Sequence, residues 1–341
     1  MKLWARIAKP PWRTFVLGGF FLVIVFGAYA LWSPGEDVTD GRHDLGQNGI
    51  YLQHGWLGDD TWFEAHGRTD RMADFRKVES IRELASLLRR HHITDVYPHV
   101  CPTERSGKLP EMDSAQVRRF LDEFREFRVM PWVGGVRGVQ ALPHDSTWRS
   151  RFAEAIRALL EAHPRFAGIH VNIEPCPSGT PDFLQTLEAV REAIPRDKVL
   201  SVAAYPPPTF WQRTSDVHWD EAYFREVARR VDQIVVMMYD TSLEKEKLYR
   251  NLMVSWTREV LDWSNGTKVL LGLPAYDDQG VRYHNPQVEN LSNGLLGIHG
   301  GLLGCRPLPT NYQGVAIYSE WEMDPQEWRH LRKHFLKSES N

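Results

Sequence analysis

The sequence has few cysteines and a net charge close to zero, and each of these features excludes a class of protein. Three cysteines in 341 residues permit at most one disulfide, and their spacing matches no zinc-binding pattern. A formal net charge of −3 provides no basic surface of the kind that binds nucleic acid. We therefore expect no nucleic-acid partner and no structural zinc, and we expect Cys101, Cys176 and Cys305 to be buried free thiols.

Long uncharged runs are also lacking, except near the N-terminus. Thr14 to Trp32 carries no charge and is long enough to cross a bilayer. Basic residues precede this run and acidic residues follow it, which by the positive-inside rule keeps the N-terminus cytoplasmic. Residues 1–32 are thus predicted to be a basic stub and a signal-anchor helix with the membrane as partner. The rest would then be extracytoplasmic, either periplasmic or at the cell surface.

A cleaved signal peptide is the alternative, because Ala28-Tyr29-Ala30 has the small-x-small form of a cleavage site. The apolar run is long for a signal peptide, which favours the uncleaved anchor. A short polar linker, residues 33–46, follows in either case. Residues 47–341 then form the working domain.

The working domain alternates apolar strands with amphipathic helices. Eight strands are predicted, at 49–54, 93–100, 129–136, 167–175, 198–206, 232–240, 268–276 and 314–321. Eight such units in one domain predict an α/β fold, the (β/α)8 TIM barrel. A doubly wound sheet is the alternative, but the sequence lacks a Gly-rich phosphate turn after the first strand. Five glycines within Leu291 to Gly304 predict that the seventh helix is broken or is a structured loop.

Nearly every predicted strand ends in a polar or aromatic residue, and in a barrel these ends converge on the face that holds active sites. They are His54, His99, Trp132, Glu174, Tyr205, Asp240, Tyr276 and Trp321. Glu174 and Asp240 could flank a glycosidic bond, whose acid-assisted hydrolysis needs a protonated carboxyl beside the leaving oxygen. The alternative is that both carboxylates cap helices or pair with loop arginines.

Five motifs, in the correct order along most of this domain, resemble the family 18 glycoside hydrolases, which are chitinase-like (β/α)8 enzymes. Two of these family patterns are intact, Met-x-Tyr-Asp on strand six and Gly-x-Pro-x-Tyr on strand seven. They are Met237-Met238-Tyr239-Asp240 and Gly272-Leu273-Pro274-Ala275-Tyr276. Strand three keeps both glycines of Ser-x-Gly-Gly, in Trp132-Val133-Gly134-Gly135, but lacks the serine. Strand eight of the family places a tryptophan under the sugar, where this chain has Tyr318 and, slightly later, Trp321.

Strand four departs most from the family pattern Asp-x-x-Asp-x-Asp-x-Glu. The corresponding residues are Ala167, His170, Asn172 and Glu174, with Gly168 in place. The glutamate is kept and the aspartates are not. Family 85 endo-β-N-acetylglucosaminidases, a related branch, resemble this arrangement in using Asn-x-Glu, where the amide is thought to favour a neutral oxazoline. His170 is then interpreted as a hydrogen-bonded imidazole of the barrel core.

The resemblance implies a substrate-assisted mechanism with no cofactor and no metal. Glu174 would protonate the glycosidic oxygen, and the acetamido oxygen of the sugar would attack its own anomeric carbon. Tyr239 and Asp240 would hold the acetamido group, assisted by Asn172. Aromatic and imidazole side chains are expected to bind the sugar chain, namely Trp132, Tyr205, Tyr276, Tyr318, Trp321 and His54.

The sequence thus predicts a membrane-anchored glycosidase that cleaves a β-linked glycan containing N-acetylhexosamine. The second hypothesis is an inactive, glycan-binding barrel that acts as an envelope scaffold, which the altered strand four favours. A retaining enzyme with two glutamates would need Glu320 as nucleophile, because strand seven ends without one. A metal hydrolase built from His54, His99 and His170 lacks a recognisable ligand motif.

Overall fold

The computed structural model describes residues 12–209, 216–277 and 281–338, with side chains described from Phe20 onward. Within these residues there are nine strands, which are β1 (Asn48–Leu52), β2 (Ile93–Pro98), β3 (Arg128–Val129), β4 (Trp132–Val136), β5 (Gly168–Glu174), β6 (Val199–Ala204), β7 (Gln233–Val236), β8 (Lys268–Pro274) and β9 (Tyr312–Tyr318). The helices in the same residues are α1 (Trp12–Leu31), α2 (Asp60–Ala65), α3 (Met72–Phe75), α4 (Val78–Arg89), α5 (Ser114–Glu123), α6 (Ser146–Ala162), α7 (Pro181–Ala193), α8 (Glu221–Ala228), α9 (Glu246–Trp263), α10 (Leu291–Leu302) and α11 (Pro325–His334).

All the strands belong to one parallel sheet, in the order β3-β2-β1-β9-β8-β7-β6-β5-β4. The two strands at the ends of this order, β3 and β4, are consecutive in the chain and are separated by Met130 and Pro131. Proline has no amide hydrogen to donate to a neighbouring strand, which accounts for the break. A parallel bridge between His99 and Trp132 joins the two sides of the sheet. The nine strands therefore occupy the eight strand positions of a barrel-like sheet, and the predicted α/β class is confirmed.

Several outer helices begin at an aspartate that caps the helix. The Asp113 carboxylate accepts hydrogen bonds from the amides of Ala115 and Gln116 at the start of α5. Asp145 and Asp220 cap α6 and α8 in the same way, and Asp324 forms a reciprocal capping box at the start of α11. Such caps satisfy amides that have no partner within the helix.

The core has two parts, as expected for a barrel surrounded by helices. Most buried apolar residues pack between the outer face of the sheet and the helices. A smaller cluster, including Tyr51, Tyr97, Met130 and Trp132, fills the interior of the barrel. The sheet interior is therefore a packed core, and a substrate can enter only at its ends.

A polar network lies within the barrel around Asp95, which is fully buried. The carboxylate accepts two hydrogen bonds of 2.6 Å from the guanidinium of Arg128. It also accepts hydrogen bonds of 2.5 and 2.9 Å from the side-chain amides of Gln233 and Gln313. Tyr97 donates to the amide oxygen of Gln233 at 2.8 Å. Each polar group is thereby satisfied where water is excluded.

The glycine-rich seventh helix is continuous, and the predicted break is wrong. α10 packs along α9 so closely that a Cβ on Gly297 would lie 2.3 Å from the Cβ of Met253. A Cβ on Gly301 would lie 2.5 Å from the Cβ of Thr257. The glycines permit this contact between the two helices, and the packing outweighs their low helix propensity.

The predicted membrane segment is helical, as α1, and its described side chains are mostly exposed. Among the described residues, however, no helix is both long enough and apolar enough to span a membrane. The basic stub before residue 12 lies outside the described residues. The end of α1 contacts the barrel, because Lys247 donates to the carbonyl oxygens of Tyr29 and Ala30, both at 3.0 Å.

All three cysteines are free thiols, as expected. Cys101 and Cys176 are buried, and burial raises the pKa of the Cys176 thiol to about 12. Cys305, in the loop after α10, is partly exposed, which corrects the expectation for that residue. No disulfide constrains the described part of the chain.

Candidate active site

Glu174 is the last residue of β5 and lines a cavity of about 470 Å³ at the carboxyl ends of the strands. Asp240, which follows β7, lines the same cavity, together with Tyr205, Met237 and Tyr239. The two carboxylates predicted to flank a glycosidic bond therefore share one open cavity. Asn172, two residues before Glu174, lies just beneath this surface.

Two side chains hold the carboxylate of Glu174. The amide nitrogen of Asn172 donates to Oε1 at 2.7 Å, and the hydroxyl of Tyr205 donates to Oε2 at 3.1 Å. Burial raises the pKa of Glu174 above its ordinary value; the two hydrogen bonds oppose this change, and the nearby charge of Asp240 adds to it. A raised pKa keeps a carboxyl protonated at higher pH, as a general acid requires.

The alternation along β5 determines which side chains face the barrel axis. Ile169, Val171 and Ile173 point to the helices and are buried. The opposite face carries His170, Asn172 and Glu174, from the interior towards the mouth. The strand therefore places the acid at the opening and only polar groups behind it.

His170 is a core residue, which confirms its interpretation as a hydrogen-bonded imidazole. Its Nε2 lies 2.9 Å from the hydroxyl of Tyr51, and its Nδ1 lies 2.8 Å from the hydroxyl of Ser201. Burial lowers the pKa of His170 to about 3, so the ring is neutral at physiological pH. It contributes no charge beneath Glu174.

The first glycine of the strand-three pattern has a steric role. Gly134 pairs with Asn172 in the register of β4 and β5, and its φ of 129° lies in the region that favours glycine. A Cβ at this position would lie 1.9 Å from the carbonyl oxygen of Asn172. Only glycine lets β4 approach β5 this closely beside the acid.

Asp240 is held by residues of the loop that follows β8. Its φ of 62° is left-handed, a strained conformation for a residue with a side chain. The hydroxyl of Tyr276 donates to Oδ1, and Nδ1 of His284 lies 3.2 Å from the same oxygen. The ring of His284 stacks on Tyr276, and its Nε2 lies 3.2 Å from the Tyr276 carbonyl oxygen.

A second buried carboxylate, Glu289, lies behind this group and was not predicted from the sequence. It accepts hydrogen bonds from the amide of Thr241 and lies 3.9 Å from Nδ1 of His284. Burial alone would lower the pKa of His284, but the close contact with Asp240 and the charges of both carboxylates outweigh it and raise that pKa. His284 belongs to no motif that we recognised, so no sequence signal could have identified it.

Aromatic side chains form a wall beside Asp240. Tyr239 stacks on Tyr318 at 5.9 Å between ring centroids, and Tyr276 meets both rings edge-on. The ring centroid of Trp321 lies 5.7 Å from that of Tyr318, and the two rings meet edge-on. Trp132 is 7% exposed and packs against Tyr318 from the barrel interior, so little of its surface faces solvent.

A neighbouring cavity of about 640 Å³ contains two of the predicted sugar-binding residues, His54 and Trp321. The Nδ1 of His54 is hydrogen-bonded to Asp59, and its ring lies against those of Trp62 and His99. Burial lowers the pKa of His54 to about 3, so this ring is neutral as well. The structure thus places these two residues beside the cavity of Glu174 rather than within it.

The three histidines proposed as alternative metal ligands do not lie together in one site. His54 and His99 are adjacent, but His170 lies in the barrel core with both ring nitrogens hydrogen-bonded. Among the described residues, the group with ligand atoms close enough for an ion, within 4.8 Å of one another, is Asp240, His284 and Glu289. An imidazole and two carboxylates are a donor set that suits a divalent transition metal.

A parallel β/α barrel with a half-buried acid at the carboxyl end of a strand and tyrosines around it is the type of site that glycoside hydrolases use. The model of the glycosyl hydrolases family 18 matches residues 92–325, well over half of the sequence, and the chain belongs to this family. The resemblance found in the motifs is thereby confirmed. Among curated proteins, no relative matches the chain.

Solved structures share the fold at low sequence identity. The spore cortex-lytic enzyme SleL of Bacillus cereus is 14% identical with a TM-score of 0.53, over 86% of this chain and 76% of that one. A chitinase from Bacteroides thetaiotaomicron is 13% identical with a TM-score of 0.51, over 85% and 96%. A chitinase from Chromobacterium violaceum is 13% identical with a TM-score of 0.51, over 84% of this chain and 98% of that one. These likenesses establish the barrel fold and leave the substrate open.

Proposed function

We propose that this protein is a glycoside hydrolase that cleaves a β-linked glycan containing N-acetylhexosamine, by substrate-assisted, retaining hydrolysis. The observation that carries the proposal is the half-buried Glu174, whose pKa is raised and which shares one cavity with Tyr239 and Asp240. Family membership supports the reaction class. The barrel supplies no second glutamate at the end of β8, so the sugar itself would supply the nucleophile.

In the proposed reaction Glu174 gives its proton to the glycosidic oxygen as the bond to the anomeric carbon breaks. The acetamido oxygen of the same sugar forms a bond to that carbon, giving a cyclic oxazoline-type intermediate. Glu174, now ionised, then takes a proton from water, and the hydroxide oxygen opens the ring with retention of configuration. Tyr239 and Asp240 would position the acetamido group through their hydroxyl and carboxylate.

Asn172 has a specific place in this scheme. Its amide nitrogen is engaged by Glu174, so its amide oxygen is the atom left to accept the acetamido N–H. An amide brings no negative charge, so it stabilises a cationic intermediate less than an aspartate would. We therefore expect the intermediate to be a neutral oxazoline: the acetamido proton would pass to the carboxylate of Asp240, which lines the same cavity, and return to the nitrogen when water opens the ring.

The test replaces the proposed acid without changing its shape. Glu174→Gln and an outer-surface control, Glu154→Gln on α6, are assayed on chitooligosaccharides, peptidoglycan and de-branched N-glycans. Loss of a general acid lowers kcat by about 10²- to 10⁴-fold. Turnover that survives in Glu174→Gln at the level of the control would remove Glu174 as the acid.

An inactive glycan-binding scaffold is the second candidate. It is favoured by Ala167, His170 and Asn172, which occupy the aspartate positions of the family motif. A scaffold would bind these glycans with the same affinity in the native and Glu174→Gln forms and cleave none of them. Binding measured by calorimetry beside the turnover assay separates the two functions.

We further propose that the domain works outside the cytoplasm, with the N-terminal segment as its anchor. The support is the uncharged run Thr14 to Trp32 and the exposed apolar side chains of α1, such as Phe20 and Phe26 at 65% and 69% exposure. Protease added to intact cells carrying the full chain would then digest the barrel. A barrel released into the soluble fraction with a shortened N-terminus would instead indicate a cleaved signal peptide.

A further inference from the structure

The cavity beside the catalytic one is continuous with it along the barrel mouth. Val136, at the end of β4, lines both cavities. Trp321 lines the neighbouring cavity and touches Tyr318 of the aromatic wall. A glycan chain whose scissile bond lies at Glu174 can therefore extend over Val136 into this second space of about 640 Å³.

Two arginines give the second cavity its charge. Arg68 and Arg71, in the turn between α2 and α3, both line it. Within the described residues neither guanidinium is within ion-pair distance of a carboxylate, whereas Arg76, five residues further on, pairs with Asp60 at 2.5 Å. The cavity histidines add no charge, because burial lowers the pKa values of His54 and His99.

Among the described residues that line the cavity, Glu322 carries the one carboxylate, against two guanidinium groups; outside the lining, Asp74 and Glu320 lie close enough to Arg71 for its charge to lower their pKa values. The cavity therefore keeps a positive balance. Guanidinium is planar and presents paired N–H donors in a fork that matches a carboxylate, and it is more weakly hydrated than an ammonium group. The half-buried indole of Trp321 offers an apolar surface next to this charge, as a sugar ring requires.

We infer that the second cavity binds a carboxylate-bearing sugar unit, so that the substrate is an acidic glycan in which such a unit adjoins the cleaved N-acetylhexosamine. The inference rests on the proposed function for the location of the scissile bond. The carboxylate can belong to a lactyl ether on a hexosamine or to a uronic acid. Both present the same group to Arg68 and Arg71.

The experiment compares matched oligosaccharides on the full chain. One set alternates N-acetylglucosamine with N-acetylmuramic acid, a second alternates it with glucuronic acid, and a third is neutral chitooligosaccharide of equal length. The acidic sets are also tested after reduction of their carboxyl groups to alcohols. Because hydrogen bonds to charged groups are the stronger ones and salt screens exposed charges, we expect about a tenfold lower KM for one acidic set at low salt.

Arg68→Gln/Arg71→Gln tests the residues, and Arg118→Gln/Arg332→Gln removes the same charge from the outer helices as a control. The preference for the acidic set should vanish in the first variant and in the carboxyl-reduced sugars, with kcat on neutral chitooligosaccharide unchanged. The preference for the acidic set should persist in the control variant, Arg118→Gln/Arg332→Gln. Equal KM values for acidic and neutral sets in the native protein, or an equal loss in both arginine variants, would overturn the inference.

Binding keeps this inference separate from the proposed function. The same oligosaccharides are titrated calorimetrically into Glu174→Gln, in which both arginines are intact. Preferential binding of an acidic set without turnover in any form would leave the arginine site standing and remove the hydrolase. Turnover of the neutral set alone, without preferential binding of an acidic set, would support the hydrolase and remove the arginine site.

Discussion

Replacing Asn172 with aspartate restores the residue type that the family motif carries and puts a second carboxyl beside Glu174. In the native chain the Asn172 amide nitrogen donates to Glu174 Oε1 at 2.7 Å. In Asn172→Asp two carboxyl oxygens would face one another at about this distance, with a single proton between them. Both groups cannot then be ionised without strong repulsion.

The size of the effect follows from the separation and the burial. Two unit charges 4 Å apart interact by about 4 kcal/mol at the effective dielectric constant of about 20 that suits protein sites. A shared proton stabilises the singly protonated pair further, as a charge-assisted hydrogen bond, and so acts in the same direction as the repulsion. The repulsion of about 4 kcal/mol alone disfavours the ionised pair by an amount that corresponds to about three pH units.

The sign of the change can be stated in advance. Glu174 must be protonated to act as the acid, so kcat/KM falls as the pH rises through its pKa. A neighbouring aspartate raises that pKa, and the falling limb of the pH profile moves to higher pH by about three units. Asn251→Asp on α9 adds the same charge far from the site and should leave the limb in place.

Two measurements check this prediction. One is kcat/KM against pH on a chromogenic N-acetylglucosamine oligosaccharide, for the native chain and both variants. The other is NMR titration of ¹³C-labelled glutamate carboxyls, which needs no turnover. A falling limb and a Glu174 titration that stay fixed in Asn172→Asp would refute the coupling between these two side chains, and with it our assignment of the acid.

Three further substitutions are expected to affect stability or activity. Asp95→Ala should lower the free energy of unfolding by about 3 kcal/mol in urea titrations, because it leaves a guanidinium and two amides inside the barrel without their acceptor. His284→Gln should lower kcat/KM about tenfold on N-acetylated substrates, with little change in Tm, because Asp240 loses a partner at 3.2 Å. Gly297→Ala should destabilise by about 1 to 3 kcal/mol, because its Cβ would meet that of Met253 at 2.3 Å.

Two of these substitutions, Asp95→Ala and Gly297→Ala, have a matched control. Asp122→Ala removes an exposed carboxylate and should change stability by less than about 1 kcal/mol. Gly27→Ala, where an added Cβ meets nothing within 4 Å, should be neutral or slightly stabilising. An equal loss in Asp95→Ala and Asp122→Ala, an unchanged kcat/KM in His284→Gln or a neutral Gly297→Ala would contradict the corresponding argument.

The sequence predicted the two faces of β5 well because their signal is local. In β5 the period of two along the chain sends Ile169, Val171 and Ile173 one way and the polar residues the other. Parallel strands then bring Glu174 and Asp240 to the same end of the sheet, whatever the details of the loops. The cavity that Glu174 and Asp240 share could therefore be predicted from the sequence.

Features that depend on contacts between distant segments of the chain could not be predicted from the sequence. α10 is continuous because its glycines fit closely against α9. Helix propensity describes a residue without its neighbours, so it cannot predict this contact. His284 and Glu289 reach Asp240 only because the loop after β8 folds back over the end of β7. Arg68 and Arg71 enter a cavity through a turn whose sequence carries no strand or helix period.

The arrangement around Glu174 bears on the choice between enzyme and scaffold. His170 is neutral and Asn172 carries no charge, so Glu174 is the one ionisable acid on its strand. Asn172 and Tyr205 each bind one of its oxygens and fix its orientation. Sugar binding alone requires neither a buried carboxyl with a raised pKa nor its immobilisation by two donors, since stacking and neutral hydrogen bonds suffice. Proton transfer requires both, and for this reason we expect Glu174→Gln to lose turnover while it keeps its affinity for the glycan.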